Sequence, residues 1–124
     1  MNPRCAFLLA GLLVACGGST PPPDVDAAPP LPDAPPPPAA ENVACPAVVD
    51  VEVVTAGQSY QPMVANVPRG GVVRFTMTSD HSARSLTNLF DVPFGATACA
   101  RFNAPGTYQY YCVAHGFTGS VVVP

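Results

Sequence analysis

Residues 105–123 read P-G-T-Y-Q-Y-Y-C-V-A-H-G-F-T-G-S-V-V-V. A Pro-Gly turn leads into an aromatic strand that delivers Cys112, a tight turn carries His115, and consecutive valines form a second strand. A Cys and a His three positions apart on a short loop between strands can both point at one spot, and such a spot binds a soft metal. The other of the two histidines, His81, follows an apparent strand over 72–78. Two imidazoles and one thiolate make a trigonal donor set that suits copper, with protein geometry rather than raw affinity choosing the metal. Zinc is the chemical competitor, but a structural zinc site uses four protein ligands and three are evident here.

The run Y-x-Y-Y-C-x-x-H followed by T-G-x-V-V-V resembles the closing segment of the cupredoxins, small blue-copper proteins. The likeness extends back through Tyr60–Phe75 (Y-Q-P-M-V-A-N-V-P-R-G-G-V-V-R-F) and Asp80-His81, covering the C-terminal two thirds of the chain. It implies a Greek-key sandwich or barrel with one copper ion, cycling between Cu(I) and Cu(II), on His81, Cys112 and His115. It also implies a type 1 copper protein that carries single electrons and is not an enzyme. Redox partners would dock on an apolar patch of Ala114, Gly116 and Phe117 around the edge of His115, and the domain is expected to be a monomer. Asp80 is read as a turn residue, not a ligand.

Two positions depart from the family pattern. Relatives usually place a methionine, the weak axial ligand, between the second His and T-G; this chain has Phe117, which cannot coordinate. Met63 and Met77 look like core, so the expectation is a three-coordinate site, or one completed by a backbone oxygen or water. The second departure is Ser82, where many relatives have Asn bonding to the cysteine loop; the shorter side chain puts that lock in doubt.

The rest of the chain shows where such a domain would sit. Residues 1–15 carry one early charge, Arg4, and an apolar run over 6–15, about half the roughly 20 residues a spanning helix needs. They read as a signal peptide. The segment ends Leu13-Val14-Ala15-Cys16, which resembles a bacterial lipobox with lipid on Cys16; ordinary secretory cleavage nearby is the alternative. With Gly17 after the cysteine, the resemblance points to a periplasm-facing lipoprotein of the outer membrane. Residues 16–42 are rich in Pro, Ala and Asp and lack the apolar side chains to offset the entropy of folding, so they read as a disordered tether. The domain is expected over 43–124.

Of the five cysteines, Cys5 leaves with the leader, Cys16 takes lipid and Cys112 takes metal. Cys45 and Cys99 remain, and in an oxidising compartment a disulfide between them is the natural proposal; two buried free thiols are the alternative. The net charge of −3 comes from the linker. The domain's Arg69, Arg74, Arg84 and Arg101 balance Asp50, Glu52, Asp80 and Asp91, so nothing supports nucleic-acid binding.

Period-two alternation predicts strands over 49–53, with the valines on one face, over 72–78, with Val73, Phe75 and Met77 inward, and over 96–102. Further short strands are expected over 60–67, interrupted at Pro62, and over 85–89, before the final pair. No helix has a credible start. Seven or eight short strands joined by Pro/Gly turns make an all-β sandwich rich in antiparallel pairs. Two other functions stay open: copper storage, delivery or resistance without electron transfer, and a metal-free interaction module.

Overall fold

The computed structural model describes residues 34–124, and the folded unit is Pro36–Pro124. The expected leader, Cys16 and most of the tether lie outside the described residues. Ten strands form among those described: β1 (Ala40–Val43), β2 (Val51–Thr55), β3 (Tyr60–Gln61), β4 (Val64–Asn66), β5 (Gly71–Thr76), β6 (Ala83–Ser85), β7 (Asp91–Val92), β8 (Thr97–Phe102), β9 (Gly106–Tyr111) and β10 (Thr118–Val123). They make two five-stranded sheets, in the orders β4-β10-β9-β6-β7 and β1-β8-β5-β2-β3. All pairings are antiparallel except β10 with β4 and β2 with β5. This is an all-β sandwich, without a helix among the described residues.

Alternation of apolar side chains dictates which faces meet. Val53, Val73, Phe75, Ala100 and Phe102 of one sheet and Ala83, Val92, Tyr110, Val121 and Val123 of the other belong to one buried cluster. Aromatic rings fill its middle: Phe75 lies 5.2 Å from Tyr110 and 5.4 Å from Phe90, which lies 5.4 Å from Phe102. One of these pairs is stacked and two are edge-to-face, arrangements that add to the area they bury. Opposite Tyr110 on β10 stands Gly119, where an added Cβ would fall 2.7 Å from the phenol ring and its oxygen. A glycine here lets the ring lie flat against the neighbouring strand. Asn42 closes one edge of the sandwich, donating to the Cys99 carbonyl and accepting the Asp91 amide across the gap.

In strand count and segment bounds the structure departs from the sequence expectation in three places. The strands number ten, not seven or eight, because Ala40–Val43 adds a strand ahead of the first one expected and the 83–92 region holds two, β6 and β7. The domain boundary expected at Val43 falls inside β1, which takes in Ala40–Asn42 and pairs with β8 from Ala40↔Phe102 to Val43↔Cys99. Ladder bonds to β8 and burial of Ala40 at 1% exposure hold a stretch whose proline-rich approach reads as linker. Asn103 grips that approach, its side chain donating to the Pro38 carbonyl and its amide to that of Ala39. Lastly, residues 86–89 are a turn, not a strand. The Ser85 hydroxyl accepts the Thr87 amide, and Asn88 takes a left-handed φ of 59°, both turn chemistry that overrides the apolar Leu86 and Leu89.

A disulfide joins Cys45 to Cys99, with Cα atoms 5.1 Å apart, and fastens the segment after β1 to the middle of β8. Cys112 is the free cysteine among the described residues and is fully buried.

Candidate metal centre

Two loops at one end of the sandwich build the site. The first leaves β5 and turns at Ser79-Asp80. The His81 amide donates to the Thr78 carbonyl at 3.0 Å, and the Gly95 amide bonds the same carbonyl at 2.9 Å. The second runs from Cys112 to Phe117 between β9 and β10. It closes on itself through the Gly116 amide to the Cys112 carbonyl at 2.8 Å and the Cys112 amide to the Phe117 carbonyl at 3.0 Å. Gly116 has a φ of 77°, a left-handed turn that a side chain disfavours, directly after His115.

Pairing of β6 with β9, Tyr110↔Ser85 and Tyr111↔Arg84, aims the two loops at each other. Beyond the ladder, the Ser82 hydroxyl accepts the Val113 amide at 3.0 Å. Serine therefore makes the loop-to-loop lock that its short side chain put in doubt.

The structure brings His81, Cys112 and His115 together, with one donor atom of each within 4.8 Å of the others. The Cys112 Sγ lies 3.8 Å from His81 Nδ1 and 3.6 Å from His115 Nδ1. A metal bonding a thiolate at about 2.3 Å and an imidazole at about 2.0 Å, at angles between tetrahedral and trigonal, holds its S and N donors roughly 3.5 to 3.8 Å apart. The donors thus fit one shared transition-metal ion. His81 is buried at 7% exposure, while His115 is exposed. Asp80 stays outside the cluster, as its carboxylate accepts from Thr78 and lies 3.8 Å from His81 Nε2. The Thr78 hydroxyl and the Asp80 backbone hold that carboxyl below its ordinary range.

Burial alone raises the Cys112 thiol. The Ser82 backbone amide and the His115 and His81 imidazoles oppose it and prevail, lowering it from 9.0 to about 6. The thiolate is the metal-binding form, so a proton competes with the metal only below that value. Apparent metal affinity is expected to lose about tenfold per pH unit through this one proton below about pH 6, and to feel no competition from it above pH 7. Competition titrations across that range, beside the ultraviolet thiolate absorbance of the metal-free protein, check both halves.

Phe117, half-buried, stands where a fourth ligand was sought. Its ring centroid lies 5.1 Å from that of His81 and 6.2 Å from that of His115. Met77 belongs to the buried core, but Met63, also expected there, is 57% exposed. Val113, Ala114 and Gly116 are exposed on the loop that carries His115. One wall of the site was missed in the sequence: Tyr60 of β3 reaches across the sandwich, its ring 4.7 Å from Phe117 and its hydroxyl bonded to the Ser82 carbonyl. Its only signal was a tyrosine at the start of a short strand, which reads as core.

No family model matches the chain, and no curated protein matches it in sequence. Solved structures do. A reduced, Cu(I) form of an amicyanin variant is similar with a TM-score of 0.55 at 23% identity, over 69% of this chain and 99% of that one. A purple cupredoxin from Nitrosopumilus maritimus is similar at 0.52 and 25% identity, over 60% of this chain and all of that one. A pseudoazurin from Sinorhizobium meliltoi is similar at 0.54 and 18%, over 60% and 72%. The described domain has the cupredoxin fold.

Proposed function

We propose that this cupredoxin-fold domain is a type 1 copper protein that carries single electrons between redox partners and is not an enzyme. The observation that carries the reading is the buried sulfur with an imidazole nitrogen on either side, 3.6 and 3.8 Å away, on loops pinned to each other by Ser82 and Val113. Copper supplies the one-electron couple between Cu(II) and Cu(I). The protein supplies rigidity: His81 is buried against Phe117, Cys112 is bonded through its own amide and carbonyl, and little can move when the charge at the site changes. The exposed edge of His115, amid Val113, Ala114, Gly116 and Phe117, is the proposed contact for partner proteins. A lipid on Cys16 and a position in the bacterial envelope, periplasm-facing at the outer membrane, complete the proposal. The Cys45–Cys99 disulfide supports an oxidising compartment.

Addition of Cu(II) to the purified domain tests the reading. An intense visible thiolate-to-copper band and reversible cycling are expected; a colourless domain overturns it. Phe117 bears on the rival, copper storage or delivery, because among the described residues the cluster holds no fourth His, Cys, Asp or Glu. A donor set of three suits Cu(I), and a protein that binds Cu(I) but does not cycle is a store. Phe117→Met introduces a thioether beside both imidazoles and is expected to lower the potential by at least about 60 mV, a tenfold shift toward Cu(II) for a one-electron couple. Voltammetry of the two proteins measures it.

A further inference from the structure

Tyr60 touches three parts of the site wall. Its ring lies 4.7 Å from Tyr110, in the strand that delivers Cys112, and 4.7 Å from Phe117, in the loop that carries His115. Its hydroxyl, on a residue 1% exposed, donates to the carbonyl of Ser82, next to His81. β3 is the edge strand of one sheet and Ser82 leads into β6 of the other, so the bond spans the sandwich at the end where the donors meet. Ser82 meanwhile holds the Val113 amide with its hydroxyl.

We propose that Tyr60 is a positioning residue of the metal centre, its hydroxyl fixing the Ser82 peptide so that His81 and the Cys112 loop keep their register. The effect on a bound metal rests on the copper reading above; the effect on the protein does not. With the phenol oxygen removed, the buried Ser82 carbonyl loses its partner and the peptide turns to find another. The Ser82 hydroxyl then loosens from the Val113 amide, next to Cys112. A donor cage held less firmly relaxes toward the geometry that Cu(II) prefers, so the potential falls.

Tyr60→Phe keeps the ring and its packing. Tyr110→Phe is the control, because the Tyr110 hydroxyl is equally buried and has no hydrogen-bond partner. In the metal-free proteins, amide exchange at Val113 is expected to be at least tenfold faster in Tyr60→Phe than in wild type, with the amides of β5 and β8 unchanged and Tyr110→Phe like wild type. Unchanged exchange at Val113, equal acceleration in both variants, or acceleration throughout the domain overturns the proposal. With copper, Tyr60→Phe is expected to show a lower potential than wild type, and an equal potential overturns the claim that the hold reaches the metal. Should the wild type take up no copper, the carrier reading falls while the exchange comparison still decides the role of Tyr60.

Discussion

Cys112→Ser leaves the domain colourless in the presence of Cu(II) and weakens its copper binding by more than a hundredfold. The visible band of such a site arises from charge moving between sulfur and metal, and a hydroxyl has no counterpart to it. Loss of a group that merely orients a ligand costs on the order of 10 to 100-fold in metal affinity, so loss of the ligand itself costs more. Packing hardly changes, because serine and cysteine differ by one atom and Sγ contacts the two imidazoles. The variant should therefore fold, which circular dichroism and the thermal midpoint of the metal-free protein verify. A Cys112→Ser domain that keeps the band, or that binds copper as wild type does, places the metal elsewhere and removes the basis for assigning His81 and His115.

Loss of the Cys45–Cys99 disulfide has the second large effect, and on stability. The bridge closes a loop with a sequence separation of 54. On the chain-entropy account that constraint is worth about 4 kcal/mol at this length. For a domain of this size one kcal/mol moves the thermal midpoint by about 4 to 8 °C, so Cys45→Ala with Cys99→Ala is expected to lower it by roughly 15 to 30 °C. The metal-free protein is the proper sample, since a ligand that binds only the folded state raises the midpoint of any variant. A shift of only a few degrees shows that β1 and the segment after it are held by the ladder to β8 and the grip of Asn103 instead.

Much of this was legible in the chain itself, and the legible parts share a cause. Cys112 and His115 are three residues apart on one loop, so their meeting is a local matter of turn geometry. Val73, Phe75 and Met77 alternate with Arg74 and Thr76, and that period alone shows which face of the strand is buried. Cys45 and Cys99 stood out by count.

Tertiary structure decided the rest because those features depend on which strands become neighbours, and alternation is silent on that. His81 reaches Cys112 across 31 residues only because β6 pairs with β9. Ser82 locks the loops because that same pairing carries on past its last ladder bond to Val113. Ala40–Asn42 reads as tether until β8 offers it backbone partners. Tyr60 joins the site because an edge strand of one sheet faces the loop entering the other, a juxtaposition made by the packing of two sheets and written in no local pattern of residues.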